Sequence, residues 1–319
     1  MILDMIILLL GFVVILKASD VLVEAASSIA LKLKIPKMLI ALTIVSFGTS
    51  APEVAISFQS LSQGNGVIGF ANVIGSCVVN ILLIIGLASF LKPIKVKHAT
   101  IKKELPLLTL VTSVFSILML DRLFNPFTKD TFSKADALVL LLVFGIFLFY
   151  LICMLFHKEK QGDTSNTTSI KYSPFVVCLL LILSIIFIVI SSDVIVKQAE
   201  KLAYAFHISE KIITMLVIVV GTSLPEMVMT VTSARKGEFD MTIGNIVGTN
   251  IFNICIVLGL PILFYGDVLL TGFGLIDIGM VLLSSFLLFV FARSERIISK
   301  KEGFIMLLLF IIYYTWLLC

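Results

Sequence analysis

Two short stretches of this chain are near copies of one another: Gly48-Thr49-Ser50-Ala51-Pro52-Glu53 and Gly221-Thr222-Ser223-Leu224-Pro225-Glu226. Each sets an acid inside long apolar sequence, where an ionisable side chain costs a few kcal/mol unless something compensates it. A helix-interior proline removes its own N–H and frees the carbonyl four residues back. For Pro52 and Pro225 those carbonyls belong to Gly48 and Gly221. In a membrane, freed carbonyls must meet protein, water or an ion. Carboxylate, hydroxyl and carbonyl oxygens together form a ligand set for hard cations such as Ca²⁺ or Na⁺, not for zinc or copper. The second helix is bracketed by Lys37 and Gly64 and the seventh by Lys211 and Arg235, which places both glutamates near mid-membrane.

A second repeated stretch supplies more oxygen. Asn72, Ser76 and Asn80 fall at i, i+4 and i+8, as do Asn245, Thr249 and Asn253, so each trio lines one helix face. Gly75 and Gly248 permit close helix approach. Asn72 and Asn245 fit interhelical hydrogen bonding as well as they fit an ion site. Asp20 and Asp193 also match; they fit an access passage or an interhelical bond, and Lys17, one turn from Asp20, is its expected partner. His98, His157 and His207 sit near expected helix ends as interfacial residues.

The elements that hold these residues follow from composition. The 319 residues are 59% hydrophobic and 14% charged, against roughly 25% charged in soluble domains, and the mean hydropathy is +1.15. This is an all-α polytopic membrane protein. Apolar stretches of spanning length give ten transmembrane helices, near 5–30, 36–61, 67–91, 104–120, 135–156, 174–206, 211–234, 241–264, 271–292 and 303–318. The N-terminus lacks the basic region of a signal peptide, so the first stretch reads as a retained span. Cys77, Cys153, Cys178, Cys255 and Cys319 show no CxxC spacing, which indicates neither a disulfide framework nor a zinc site. The net charge of +4 lies in short loop lysines and implies no nucleic acid.

The hydrophilic linker 157–173 separates a five-helix unit, 1–156, from a second, 174–319. Glu53 and Glu226 lie 173 positions apart, and that offset also relates Asp20 to Asp193, Asn72 to Asn245 and Asn80 to Asn253. Aligned without a gap, 15–86 and 188–259 share 21 identities in 72 positions. Five is odd, so the second unit enters the membrane upside down: two inverted five-helix repeats. The loops after odd-numbered helices carry 17 of the lysines and arginines, and those of the opposite side carry 6. The former are therefore expected in the cytoplasm and both termini outside. Inverted repeats with Gly/Pro-interrupted polar helices are a secondary-transporter pattern, with the site at the midplane.

On these motifs the chain resembles the calcium/cation antiporter superfamily, and within it the prokaryotic sodium/calcium exchangers. The pattern G-T/S-S-x-P-E/D, followed on the next helix by G-N-x-x-G-S-x-x-x-N/D, occurs twice, in α-repeats near 36–91 and 211–264. The resemblance implies Na⁺/Ca²⁺ exchange by alternating access, a monomer in a bacterial or archaeal cell membrane, and no cofactor beyond the transported ions. It implies calcium ligands at Glu53, Glu226, Thr49 and Thr222. Sodium ligands are implied at Ser50, Ser76, Asn80, Ser223, Thr249 and Asn253 and at the carbonyls of Ser46 and Val219. It also implies that the first and sixth helices slide across the others to switch access. Two departures stand out: Asn253, where potassium-dependent and some archaeal relatives carry aspartate, and Phe70-Ala71, where glycine usually precedes the asparagine.

Two ionised glutamates carry a charge of −2, which one Ca²⁺ neutralises; three Na⁺ would leave +1. Three-for-one exchange would move one net charge per cycle, about 2.3 kcal/mol per 100 mV. Rival readings are calcium exchange against protons or potassium on the same fold, a passive channel, and an intramembrane enzyme. The last would need two acids in different surroundings, whereas those of Glu53 and Glu226 are alike. In a chain with its native cysteines replaced, a cysteine at Lys95 should react with an impermeant maleimide only from the cytoplasmic side. One at Gln63 should react only from outside, and the reverse pattern would invert the expected topology.

Overall fold

A computed structural model describes residues 2–121, 130–156, 173–205 and 219–318. Linker residues 157–172, His157, His207, Cys319 and residues 211–218 of the expected seventh helix lie outside them. Helices dominate because a chain in hydrocarbon must satisfy its backbone groups internally. Six described helices are long and apolar enough to cross a membrane: Asp4–Leu33, Gly66–Leu91, Lys134–Phe156, Pro174–Gln198, Phe239–Tyr265 and Leu275–Ser294. The pair Lys37–Thr49 and Ala51–Ser62, bent by 48°, makes a seventh if taken as one span. Glu104–Leu118, Leu224–Lys236 and Lys300–Leu318 are the other long helices.

The helix expected over 36–61 is interrupted, as its proline implies, and consists of two pieces. Its break falls at Ser50, and the matching break at Ser223 separates Val219–Thr222 from Leu224–Lys236. Pro52 and Pro225 explain both, since each sits in the first turn of the following helix, where a missing N–H costs nothing. Other features recur at the same offset. Gly64 and Gly237 end their helices at φ 75° and 79°, a region that favours glycine. Ser60 donates to the Ser57 carbonyl and Ser233 to that of Thr230. Wider π-helical turns run over Val79–Ile85 and Asn253–Leu258.

Two small sheets and several ion pairs sort the loops into two groups. β1 (Ile94–Lys95) pairs antiparallel with β4 (Ile297–Ile298), and β2 (Thr131–Phe132) with β3 (Val268–Leu269). Lys37 pairs with Glu238 at 2.7 Å and Lys97 with Asp240 at 2.7 Å. The loops after expected helices one, three, seven and nine thus meet one another. Val268 packs on Gly66, which brings the loops after helices two, four and eight together.

Helices Ile2–Leu33 and Pro174–Ala205 pack along each other and form a second apolar cluster, which Ile40, Ala41, Val45, Met229 and Met241 join from the neighbouring helices. Small side chains such as Ala18, Ala25, Ala26 and Ala30 are buried in it. A larger cluster fills the space among the remaining helices. There Gly248 lets helix Phe239–Phe252 cross the 41–45 turn closely: a Cβ at Gly248 would lie 2.8 Å from the Leu42 Cα. Backbone cannot yield as a side-chain tip can, and such overpacking costs about 1–3 kcal/mol. Gly248→Ala should lower the melting temperature of the purified protein, whereas Gly145→Ala, with nothing within 4 Å of the added Cβ, should leave it unchanged or raise it.

Candidate ion-binding site

Each break turns a helix N-terminus toward the molecule's interior. Glu53 lies in the first turn of Ala51–Ser62 and Glu226 in the first turn of Leu224–Lys236. Unbonded N–H groups and the helix dipole favour negative charge there, so each carboxylate sits where its own helix helps it stay ionised. Both residues are fully buried. They lie within electrostatic range of each other, and the Thr49 and Ser50 hydroxyls stand beside Glu226 across the repeat boundary.

Among the described residues no well-formed hydrogen bond reaches either carboxylate: all four oxygens are buried without a partner. The same holds for Ser50 and Ser223 Oγ, Ser76 Oγ and Thr249 Oγ1, Asn80 Oδ1, and both amide atoms of Asn253. Asn72 Nδ2 and Asn245 Oδ1 complete the set. Every residue here is matched by its equivalent 173 positions away. A buried polar atom without a partner costs roughly 1–3 kcal/mol. So many in one place, mostly oxygens, are tolerable only where a cation or water completes them. Among the described residues no three His, Cys, Asp or Glu side chains cluster, so two carboxylates and neutral oxygens are what the site offers. That chemistry suits a hard cation.

A few hydrogen bonds hold the cage. Asn80 Nδ2 donates to Asn250 Oδ1 at 2.8 Å, and Asn250 Nδ2 to the Cys77 carbonyl at 3.4 Å. Asn245 Nδ2 donates to Thr230 Oγ1 at 3.0 Å, and the Thr222 hydroxyl to Asn72 Oδ1 at 3.5 Å. Asn72 and Asn245 each therefore bond one neighbour and keep one atom for the cage. Thr49 Oγ1 donates to the Ser46 carbonyl at 3.3 Å, which also accepts Ser50 N–H at 3.1 Å. The Ser46 hydroxyl lies between two acceptors, the Ala41 carbonyl at 2.5 Å on its own helix and the Asn245 carbonyl at 3.0 Å, so its contact joins the two α-repeats. Val219 begins the described part of its helix.

Asn250 was not among the expected site residues. Its equivalent by offset is Cys77, so matching the repeats passes over it. It makes the two copies unlike, since Asn80 is fastened and Asn253 is not. Ser192 also escapes the motifs, although it is identical to its equivalent, Ser19. Its hydroxyl donates at 3.1 Å to the Gly221 carbonyl, the one Pro225 frees. Ser19 instead donates at 3.1 Å to the Val228 carbonyl. Asp20 pairs with Lys236 at 3.2 Å rather than with Lys17, because the end of Leu224–Lys236 comes within reach of both Asp20 and Glu24. Asp193 pairs with Lys197 on its own helix at 2.8 Å. Neither aspartate belongs to the cage.

Known proteins carry the same framework. Residues 3–153 and 176–319 match the sodium/calcium exchanger protein family. The chain is 35% identical to the inner membrane protein YrbG of Escherichia coli K12 over 262 residues, 80% of this chain and 78% of that one. It is 28% identical to the sodium/calcium exchanger MaX1 of Methanosarcina acetivorans, with 97% of each chain aligned. A solved structure of the sodium-calcium exchanger NCX_Mj, 27% identical, superposes with a TM-score of 0.83 over 98% of each chain. This protein belongs to the sodium/calcium exchanger family, a family of membrane transporters.

Proposed function

We propose that the protein exchanges Na⁺ for Ca²⁺ across a cell membrane, with Glu53 and Glu226 as the shared ligands of both ions. The observation that carries this is the set of buried oxygens without protein partners, matched residue for residue between the α-repeats. One Ca²⁺ balances the two carboxylates. Sodium ions would use the same carboxylates with the Ser50, Ser76, Asn80, Ser223, Thr249 and Asn253 side chains, and the Thr49 and Thr222 oxygens would complete the calcium shell. Because both ions need the same carboxylates, each excludes the other, which makes the process an exchange. Three sodium ions per calcium would make it electrogenic. The names of MaX1 and NCX_Mj as sodium/calcium exchangers support sodium as the driving ion. Calcium-45 uptake into proteoliposomes should follow an outward sodium gradient, not a potassium or proton gradient, and Glu53→Gln or Glu226→Gln should reduce it at least a hundredfold. Uptake that follows a pH gradient without sodium would assign proton coupling instead.

The same reading places ten helices in two inverted repeats, both termini outside, in a protomer that works alone, and it uses the inversion to switch access. In the structure, Ser19 and Ser192 both donate to carbonyls of the seventh helix, at Val228 and Gly221. Exchanging the roles of the repeats moves these bonds to the second helix, at Gly48 and Ala55. The contact of Asp20 with Lys236 likewise becomes one of Asp193 with Gln63. In a chain with its native cysteines replaced, a short thiol cross-linker should therefore join cysteines at 20 and 236 in one access state and at 63 and 193 in the other. Each link should stop exchange, and calcium should shift the two yields in opposite directions. Simultaneous, ligand-independent formation of both links would contradict the switch.

A further inference from the structure

A third buried acid lies far from the cage, at the membrane edge on the face that carries the Lys37–Glu238 and Lys97–Asp240 ion pairs. Glu104, in the first turn of Glu104–Leu118, is 2% exposed. Its Oε1 accepts the Tyr150 hydroxyl, and its Oε2 is buried without a hydrogen-bond partner. The Thr100 hydroxyl stands beside the carboxylate. The acid opens into a cavity of about 530 Å³ whose wall is mostly apolar. Lys103 lines it, as do Leu107, Met154 and the exposed Ile146 and Cys153, so the cavity opens sideways to where lipid lies.

The other half of the chain contains a control. Asp277, 173 positions on, also starts a long helix and also accepts a tyrosine hydroxyl, from Tyr313 at 2.8 Å. Its second oxygen accepts the Gly274 N–H at 2.8 Å. An acid–tyrosine pair that only fastens two helices can thus satisfy both oxygens, and Glu104 keeps one for something else. A bare Na⁺ or Ca²⁺ fits poorly, since Ca²⁺ takes six to eight oxygens, whereas the cavity offers the Glu104 carboxylate, a phenol and one hydroxyl, and its other carboxylate, Asp240, is already paired with Lys97 at 2.7 Å. An ammonium needs only an acceptor, and apolar walls suit the chains of an amphiphile.

We propose that this cavity binds a membrane phospholipid with a primary ammonium headgroup, whose ammonium donates to Glu104 Oε2 while its phosphate faces Lys103 and its chains follow Leu107, Ile146 and Met154. Burial and a charged acceptor give such a bond about 1.5–3 kcal/mol, or roughly a tenfold to hundredfold preference over a headgroup that cannot donate. The test compares phosphatidylethanolamine, phosphatidylcholine and phosphatidylglycerol of identical chains, added to delipidated protein and read by native mass spectrometry and melting temperature. Phosphatidylethanolamine should bind at least tenfold more tightly and raise the melting temperature most. Glu104→Gln, nearly isosteric, should abolish that preference, while Asp277→Asn should lower basal stability and keep it. Equal responses to the three lipids, or a preference that survives Glu104→Gln, would overturn the proposal. So would a sodium or calcium response in lipid-free detergent that Glu104→Gln removes.

Discussion

Two carboxylates buried near each other in a membrane, their oxygens without a hydrogen-bond partner among the described residues, constrain everything around them. Their repulsion and desolvation would be severe if nothing offset them, since one like-charge pair in a low-dielectric interior costs several kcal/mol. The protein answers with two helix N-termini, each aimed at its own glutamate, and with neutral oxygens from four helix segments. What the protein leaves undone, a cation must do. On the exchange proposed above, the same arrangement would account for coupling, because a −2 cage would resist crossing a low-dielectric barrier empty and would have to carry one ion set or the other.

The remaining structure keeps the cage open and in register. Pro52 and Pro225 break their helices at the point where the acids need positive ends. Gly248 lets a helix backbone approach Leu42 so that the Ser46 hydroxyl reaches the Asn245 carbonyl. Asn250 braces Asn80, leaving Asn253 with both amide atoms free for the cage. Outside this core, helices Ile2–Leu33 and Pro174–Ala205 form a separate layer joined to it through few polar contacts. Two of those contacts, from Ser19 and Ser192, fall on carbonyls of one repeat only. That one-sidedness is what a structure held in one of two symmetry-related registers should show.

Much of this was legible in the residues. Glu53 and Glu226, their prolines and the polar faces of the following helices were readable because duplication marks each of these buried polar positions twice, and shared hydrophobicity cannot produce such matches. Helix positions followed from apolar runs between charges. The residues that were not readable are those that break the pattern or act between helices distant in sequence. Asn250 faces a cysteine in the other copy. Asp20 finds Lys236 more than two hundred positions away, where only tertiary packing decides between that partner and nearby Lys17. Glu104 carries no motif, and only its burial and its bond from Tyr150 set it apart.

The central claim is that the two glutamates make one site that Ca²⁺ and Na⁺ cannot share. Equilibrium binding of calcium-45 to purified protein, titrated with sodium at constant ionic strength, tests it most directly. The account predicts one Ca²⁺ bound per chain and cooperative displacement by sodium, with calcium binding lost in both Glu53→Gln and Glu226→Gln. Two calcium ions bound per chain, or calcium binding indifferent to sodium, would contradict it.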